Sequence, residues 1–203
     1  AVGDYNIFRK RKKEGTKSDV TFFILVDASG SMRGGGSQNA KIATVVSAEA
    51  LKLNNLPFAV EGFSTATREN TVVHFIYKKF EDPALCETID CYSGVEENRD
   101  GYSIRVAGRS LLRRSERKKV LIVLSDGLPS HTRSSPPYYM DVGVQDTILA
   151  VREMQRSGIL VVGIYFGSGQ ESFCQRIYPN LVICEPTNLP NALGSVLKRV
   201  LRS

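Results

Sequence analysis

Three runs of this chain are apolar on both of the faces a strand can present: VTFFILV (Val20–Val26), KVLIVLS (Lys119–Ser125) and ILVVGIYF (Ile159–Phe166). Side chains alternate sides along a strand, so a strand with no polar face must be covered above and below, as in a parallel sheet between two helical layers. The intervening segments carry apolar residues at three- and four-residue steps, so the fold class is α/β, a three-layer, doubly wound, mostly parallel sheet.

The remaining elements fall around these runs. Ile42, Val45, Val46, Ala50 and Leu53 mark a helix over Gln38–Leu53, and Ile104, Ala107, Leu111 and Leu112 mark one beginning just beyond Asp100. Val144, Ile148, Val151 and Met154 mark another, closed at Gly158 by a glycine C-cap, and the chain ends on a strongly amphipathic helix from Leu189 to Leu201. FAVEGF (Phe58–Phe63) and TVVHFIY (Thr71–Tyr77) are separated by too few residues for a crossover, which makes one antiparallel edge strand. LVIC (Leu181–Cys184) is a short strand at the other edge, and SHTRSSPPYY is loop because its prolines resist both regular structures.

Polar residues cluster where these strands end. Asp27, Ser29 and Ser31 follow the first run in DASGS, Asp126 follows KVLIVLS, and Asp100 opens the helix of Ile104. In open α/β sheets the crevice beyond the carboxyl ends of the strands is where ligands sit, and three such loops can converge there. The donors are carboxylates and hydroxyls without a nearby imidazole or thiolate, which suits a small hard cation, Mg²⁺ or Mn²⁺. Alone, DASGS reads equally well as a capped turn with its Asp and Ser side chains on backbone N–H groups.

The motif, its order and its spacing resemble the von Willebrand factor A domains, whose metal-ion-dependent adhesion site is written Asp-x-Ser-x-Ser, then a distant Thr or Asp, then a distant Asp. DASGS supplies Asp27, Ser29 and Ser31, and LSDG supplies Asp126. The resemblance runs from about Val20 onward and implies a Rossmann-like domain over residues 18–203. In it serine hydroxyls bind the cation directly, the aspartates act largely through water, and a partner's carboxylate completes the shell. Where adhesion receptors carry threonine this chain has ENRDGYSIR, which looks like the N-x-D-G segment of the bacterial cobaltochelatase-subunit and nitric-oxide-reductase-activation branch; GSMRG and LLRRSERKKVLIVLSDGLPS resemble the same branch. That places Asp100 third in the metal set. The branch implies a cytoplasmic accessory domain working beside a MoxR-like AAA+ ATPase in a metal-chelatase or activation complex.

Other chemistries fit less well. Neither ASGSM nor GFSTA is a serine-hydrolase elbow, and of the two histidines only His131, in the loop after Asp126, could act as a base. The first strand lacks the second aspartate of a phosphoaspartate mechanism, and GGGSQNAK lacks the Gly-Lys-Ser/Thr ending of a phosphate loop, so the domain reads as a binding module and not an enzyme, with a metal-dependent hydrolase as the less favoured alternative. Arg33 beside the metal loop offers a carboxylate clamp, and Tyr138 and Tyr139 offer either a recognition surface or packing for their own loop.

Charge and cysteines set further bounds. Of the net charge of +6, residues 1–17 contribute +4, from six basic and two acidic groups, leaving +2 for the rest. The RKRKK run (residues 9–13) is therefore a basic arm or linker ahead of a near-neutral body, with nucleic-acid binding through it as the alternative function. The chain opens on Ala1 and reads as a segment of something longer, and no stretch reaches the ~20 apolar residues of a membrane span. Cys86, Cys91, Cys174 and Cys184 match no zinc spacing; free thiols are expected, with a Cys86–Cys91 bridge open under oxidation.

Overall fold

The computed structural model describes residues 19–66, 71–85, 89 and 96–202. The basic arm at residues 1–17 and both Cys86 and Cys91 lie outside them, while Cys174 and Cys184 are free thiols. Strand β1 (Val20–Asp27) is buried along all eight residues. Its alternating side chains enter two cores. Phe22, Ile24 and Val26 pack with helices α1 (Gly35–Leu53) and α5 (Leu189–Arg202), while Phe23 and Leu25 pack with α2 (Asp100–Leu112) and α3 (Met140–Arg156). Strand β4 (Lys118–Ser125) divides likewise, with Val120, Ile122 and Leu124 on one side and Leu121 and Val123 on the other. Each such side chain, taken fully out of water, contributes roughly 1.5–3 kcal/mol.

The six-stranded sheet is completed by β2 (Phe58–Thr65), β3 (Val72–Lys78), β5 (Ile159–Tyr165) and β6 (Leu181–Ile183), in the order β3-β2-β1-β4-β5-β6. All neighbours run parallel except β2 and β3. The chain winds outward from β1 in one direction and from β4 in the other, so the strand order reverses between these two. Val26 lies level with Leu124 across that pair, which brings the ends carrying Asp27 and Asp126 side by side. This is the crevice in which doubly wound folds bind ligands.

Two elements differ from expectation. Helix α1 starts at Gly35, inside the glycine run, and buries its small residues Ala40, Ala43, Thr44, Ser47 and Ala48 with Leu51. Ile42, Val46 and Leu53, whose spacing marks the helix, are 42%, 52% and 80% exposed. Small side chains allow the helix axis to approach the sheet closely, and the larger residues are left on the outside. A short helix α4 (Glu171–Ile177), unforeseen from sequence, closes the α2/α3 side with Cys174 and Ile177. The expected cap at Gly158 is present: its φ is +83°, and its N–H donates to the Gln155 carbonyl at 3.0 Å.

Candidate metal centre

Asp27 ends β1 with no solvent exposure, and its two oxygens are used differently. Oδ1 accepts the Ser29 N–H at 2.8 Å, bending the chain immediately after the strand. Oδ2 accepts from Asn98 Nδ2 and from Ser125 Oγ, each at 3.1 Å. A short 3₁₀ turn, Gly30–Met32, follows, pinned from beneath by the fully buried Met32 and from the side by a Gly30 N–H to Glu96 carbonyl bond of 2.6 Å. Ser31 projects from this turn to the exposed side, where its hydroxyl lies 3.0 Å from Ser29 Oγ and donates to Asp126 Oδ1 at 2.8 Å.

Asp126 is held from two further directions. A Cβ on Gly36, in the first turn of α1, would stand 3.7 Å from Asp126 Oδ2, so the positive end of the helix dipole faces this carboxylate. A Cβ on Gly167 would overlap the Asp126 carbonyl, which is why the segment after β5 can pass directly behind it.

Asp100 is 2% exposed at the start of α2. It lines an internal cavity of about 10 Å³ together with Ser125, Thr147, Tyr165, Cys174 and Tyr178, and its Oδ2 has no hydrogen-bond partner. It is not hydrogen-bonded to Ser29, Ser31 or Asp126; it meets Asp27 and Asp126 through charge alone. Gly101 is required next to it, since a Cβ there would overlap the Asp146 carboxylate on α3.

The electrostatics follow from this crowding. Burial pushes the Asp27 carboxyl up to about 6, hydrogen bonds from Ser29 and Ser125 pull it down, and the charge of Asp126 raises it again. Burial raises Asp100 well above the usual carboxylate range, with the charge of Asp27 adding to it, and burial also raises Asp126. Three carboxyls that resist ionisation together are the surroundings in which a cation reverses the balance, because it stabilises the charged forms. Among the described residues no three His, Cys, Asp or Glu side chains are grouped closely enough to hold a metal. The oxygen set that fits a small hard cation is therefore the Ser29 and Ser31 hydroxyls with Asp126, backed by Asp27 and the unpartnered oxygen of Asp100.

The other sequence candidates separate. Arg33 is exposed directly after the 3₁₀ turn. Tyr139 is 44% exposed, beside Met140 at 71% and Val142 at 58%. Tyr138 does not belong on a recognition surface: it is 4% exposed, its hydroxyl donates to Asp146 Oδ2 at 2.9 Å and accepts the Gly101 N–H at 3.3 Å, and its ring lies 4.7 Å from the Arg99 guanidinium. Its aromatic ring and hydroxyl tie the loop to α2 and α3, the packing alternative. His131 is fully buried, neither ring nitrogen has a partner, and burial holds the imidazole below its ordinary pKa.

Two residues that matter here escaped the sequence reading. Asn98 donates to Asp27, its N–H donates to the Ser130 carbonyl at 2.9 Å, and its Oδ1 accepts the Ser130 N–H at 2.7 Å. It thus ties the β1 end, the segment before α2 and the loop after β4 at one point. Ser125 supports the other side of the same carboxylate. Both were visible as neighbours in the motifs, the asparagine of N-x-D-G and the serine of LSDG.

A doubly wound sheet with this D-x-S-x-S loop at its switch point defines a von Willebrand factor A domain, and solved structures agree at the level of fold. The vWF domain of the type V pili tip protein Mfa5 from Porphyromonas gingivalis superposes with a TM-score of 0.73 at 10% identity, over 89% of this chain and 94% of that one. The pilus adhesin SpaC from Lactobacillus rhamnosus GG gives 0.64 at 14% identity, over 93% and 31%. The chain belongs to the family described as the cobalamin biosynthesis protein CobT VWA domain, which matches residues 7–84 and 66–137. It is 32% identical to the Bacillus subtilis (strain 168) protein YojO, over 96% of this chain and 32% of that protein. It is 29% identical to NorD of Stutzerimonas stutzeri, over 71% of this chain and 24% of that protein. The chain thus spans about a third of the one relative and a quarter of the other.

Proposed function

We propose that this domain is a cation-dependent protein-docking module without chemistry of its own. Ser29, Ser31 and Asp126 would hold Mg²⁺ or Mn²⁺, with Asp27 and Asp100 acting behind them. The observation that carries this reading is the continuous run of oxygens from the buried Ser29 through the exposed Ser31 to the half-buried Asp126, gathered from two strand ends at the switch point. The ion supplies positive charge to which a partner's carboxylate binds. The chain's own residues fix the hydroxyls, through Met32 beneath the turn and Asn98 and Ser125 around Asp27.

With Asp27, Asp100 and Asp126 ionised, three negative charges face two positive ones. Such a site retains its ion firmly and draws an anionic partner less strongly than a site with threonine in the third position. Kinship with the CobT domain and with NorD supports placing the module as an accessory domain of a metal-chelatase or activation complex, working beside a MoxR-like AAA+ ATPase in the cytoplasm. No helix among the described residues is long and apolar enough to cross a membrane. The domain proper is residues 18–203, preceded by the basic arm.

Capture of partners from lysate on the immobilised chain tests this. An ATPase partner retained in Mg²⁺ and released by EDTA or by Ser31→Ala is the expected result. Equal retention with and without the ion would remove the basis of the proposal, and retention of nucleic acid lost only on raising salt would favour the basic arm instead.

A further inference from the structure

A groove lies along the β6 edge of the sheet, away from the central β1 and β4 strand ends. β6 is the edge strand, with three residues, and its outer N–H and C=O groups have no neighbour in the sheet. Beside it α5 borders a cleft of about 330 Å³ with Val182, Ala192 and Val196 on its apolar side and Asn188 and Asn191 on its polar side. Ser195 and Arg199 line this cleft and also the next, an open hollow of about 450 Å³ bordered by Lys198 and Arg202. The two form one groove, apolar at the β6 end and basic at the C-terminal end of α5.

The three cations are uncommitted. Among the described residues the side chains of Lys198, Arg199 and Arg202 make no ion pair or hydrogen bond, and no acidic residue lines either cleft. Lys198 and Arg199 each stand one turn before Arg202, at four- and three-residue spacing, where like charges repel, and an anionic occupant removes that repulsion. From Leu189 to Arg202 the helix rises about 20 Å, the length of roughly six extended residues.

We propose that this groove takes an extended acidic peptide segment of a protein partner, with an apolar side chain against Val182 and Val196 and carboxylates on Lys198, Arg199 and Arg202. The open strand edge favours a peptide, whose backbone can pair with it, as in β-strand addition. A nucleic acid strand is disfavoured because none of the lining residues is aromatic and its bases would find no stacking surface. The groove is separate from the metal centre and operates without the ion.

The test is an amide NMR titration of the full 203-residue chain with N-acetylated Val-Leu-Val-Asp-Glu-Glu, in EDTA. Shifts confined to β6 and α5 are expected, with affinity lowered at least tenfold by Lys198→Glu/Arg199→Glu. That variant, folded by circular dichroism, should in turn bind the peptide carrying Lys in place of its three acids. Because it leaves the basic arm intact, unchanged affinity in the variant would overturn the proposal. So would a six-nucleotide single strand binding more tightly than the peptide, or a dimer of the chain that buries β6 and excludes it.

Discussion

Ser31 Oγ donates to Asp126 Oδ1 at 2.8 Å across 95 positions of sequence, so the two halves of the candidate ion site meet only because β1 and β4 are neighbours. Both partners are accessible enough to be changed without emptying the core. Titrating Mg²⁺ against thermal unfolding should stabilise the chain by about 2.7 kcal/mol at 100 times Kd. Ser31→Ala should weaken Kd at least tenfold, lowering that gain by about 1.4 kcal/mol at the same concentration. An undiminished gain in the variant excludes Ser31 as a ligand.

Asp27 gives the ion-free domain a pH dependence of defined sign. Its folded pKa, about 6, lies above the ordinary aspartate value of 3.8, so its protonated form is favoured in the folded state. The associated stability is full below pH 3.8 and is lost as pH rises through 6, amounting to about 3 kcal/mol. In EDTA, the difference in unfolding free energy between the chain and Asp27→Asn should therefore change across this window and stay flat above it. A difference independent of pH would show that Asp27 titrates normally.

Asp100 is buried with one oxygen unpartnered and two carboxylates in electrostatic range. Asp100→Asn keeps the shape and removes the charge. In EDTA at pH 8 the variant should be about 1–3 kcal/mol more stable than the parent, and its response to Mg²⁺ smaller. A full Mg²⁺ response in Asp100→Asn would take Asp100 out of the site.

Adjacent tyrosines should behave differently. Tyr138→Phe leaves the Gly101 N–H and the Asp146 carboxylate without their shared hydroxyl and should cost about 1–2 kcal/mol by chemical denaturation. Tyr139→Ala, at an exposed position, should stay within about 0.5 kcal/mol. Equal costs would mean that Tyr138 does not hold the loop in the way its contacts indicate.

The layers of the fold were legible because Phe22 and Phe23, or Val120 and Leu121, are apolar on successive positions, a pattern that only a strand covered on both faces requires. The orientation of α1 was not legible, since periodicity weights large side chains, whereas close approach to the sheet selects alanine and serine. Helix α4 was missed because seven residues with two buried positions give no period to detect. Ser29, Ser31 and Asp126 were legible as polar residues at strand ends, and the neighbouring of β1 and β4 brings Ser31 to Asp126. Asn98 did not emerge because its role depends on Ser130 and Asp27, at positions that no local pattern joins.

That asparagine has a thermodynamic consequence. Asp27 and the loop beginning at Ser130 share one side chain, so the free energy of ordering the loop and that of ionising Asp27 are not independent. Linkage is reciprocal: whatever the proposed ion, by favouring the ionised Asp27 behind it, would contribute to the order of that loop, a protein seated on the loop would return as tighter retention of the ion.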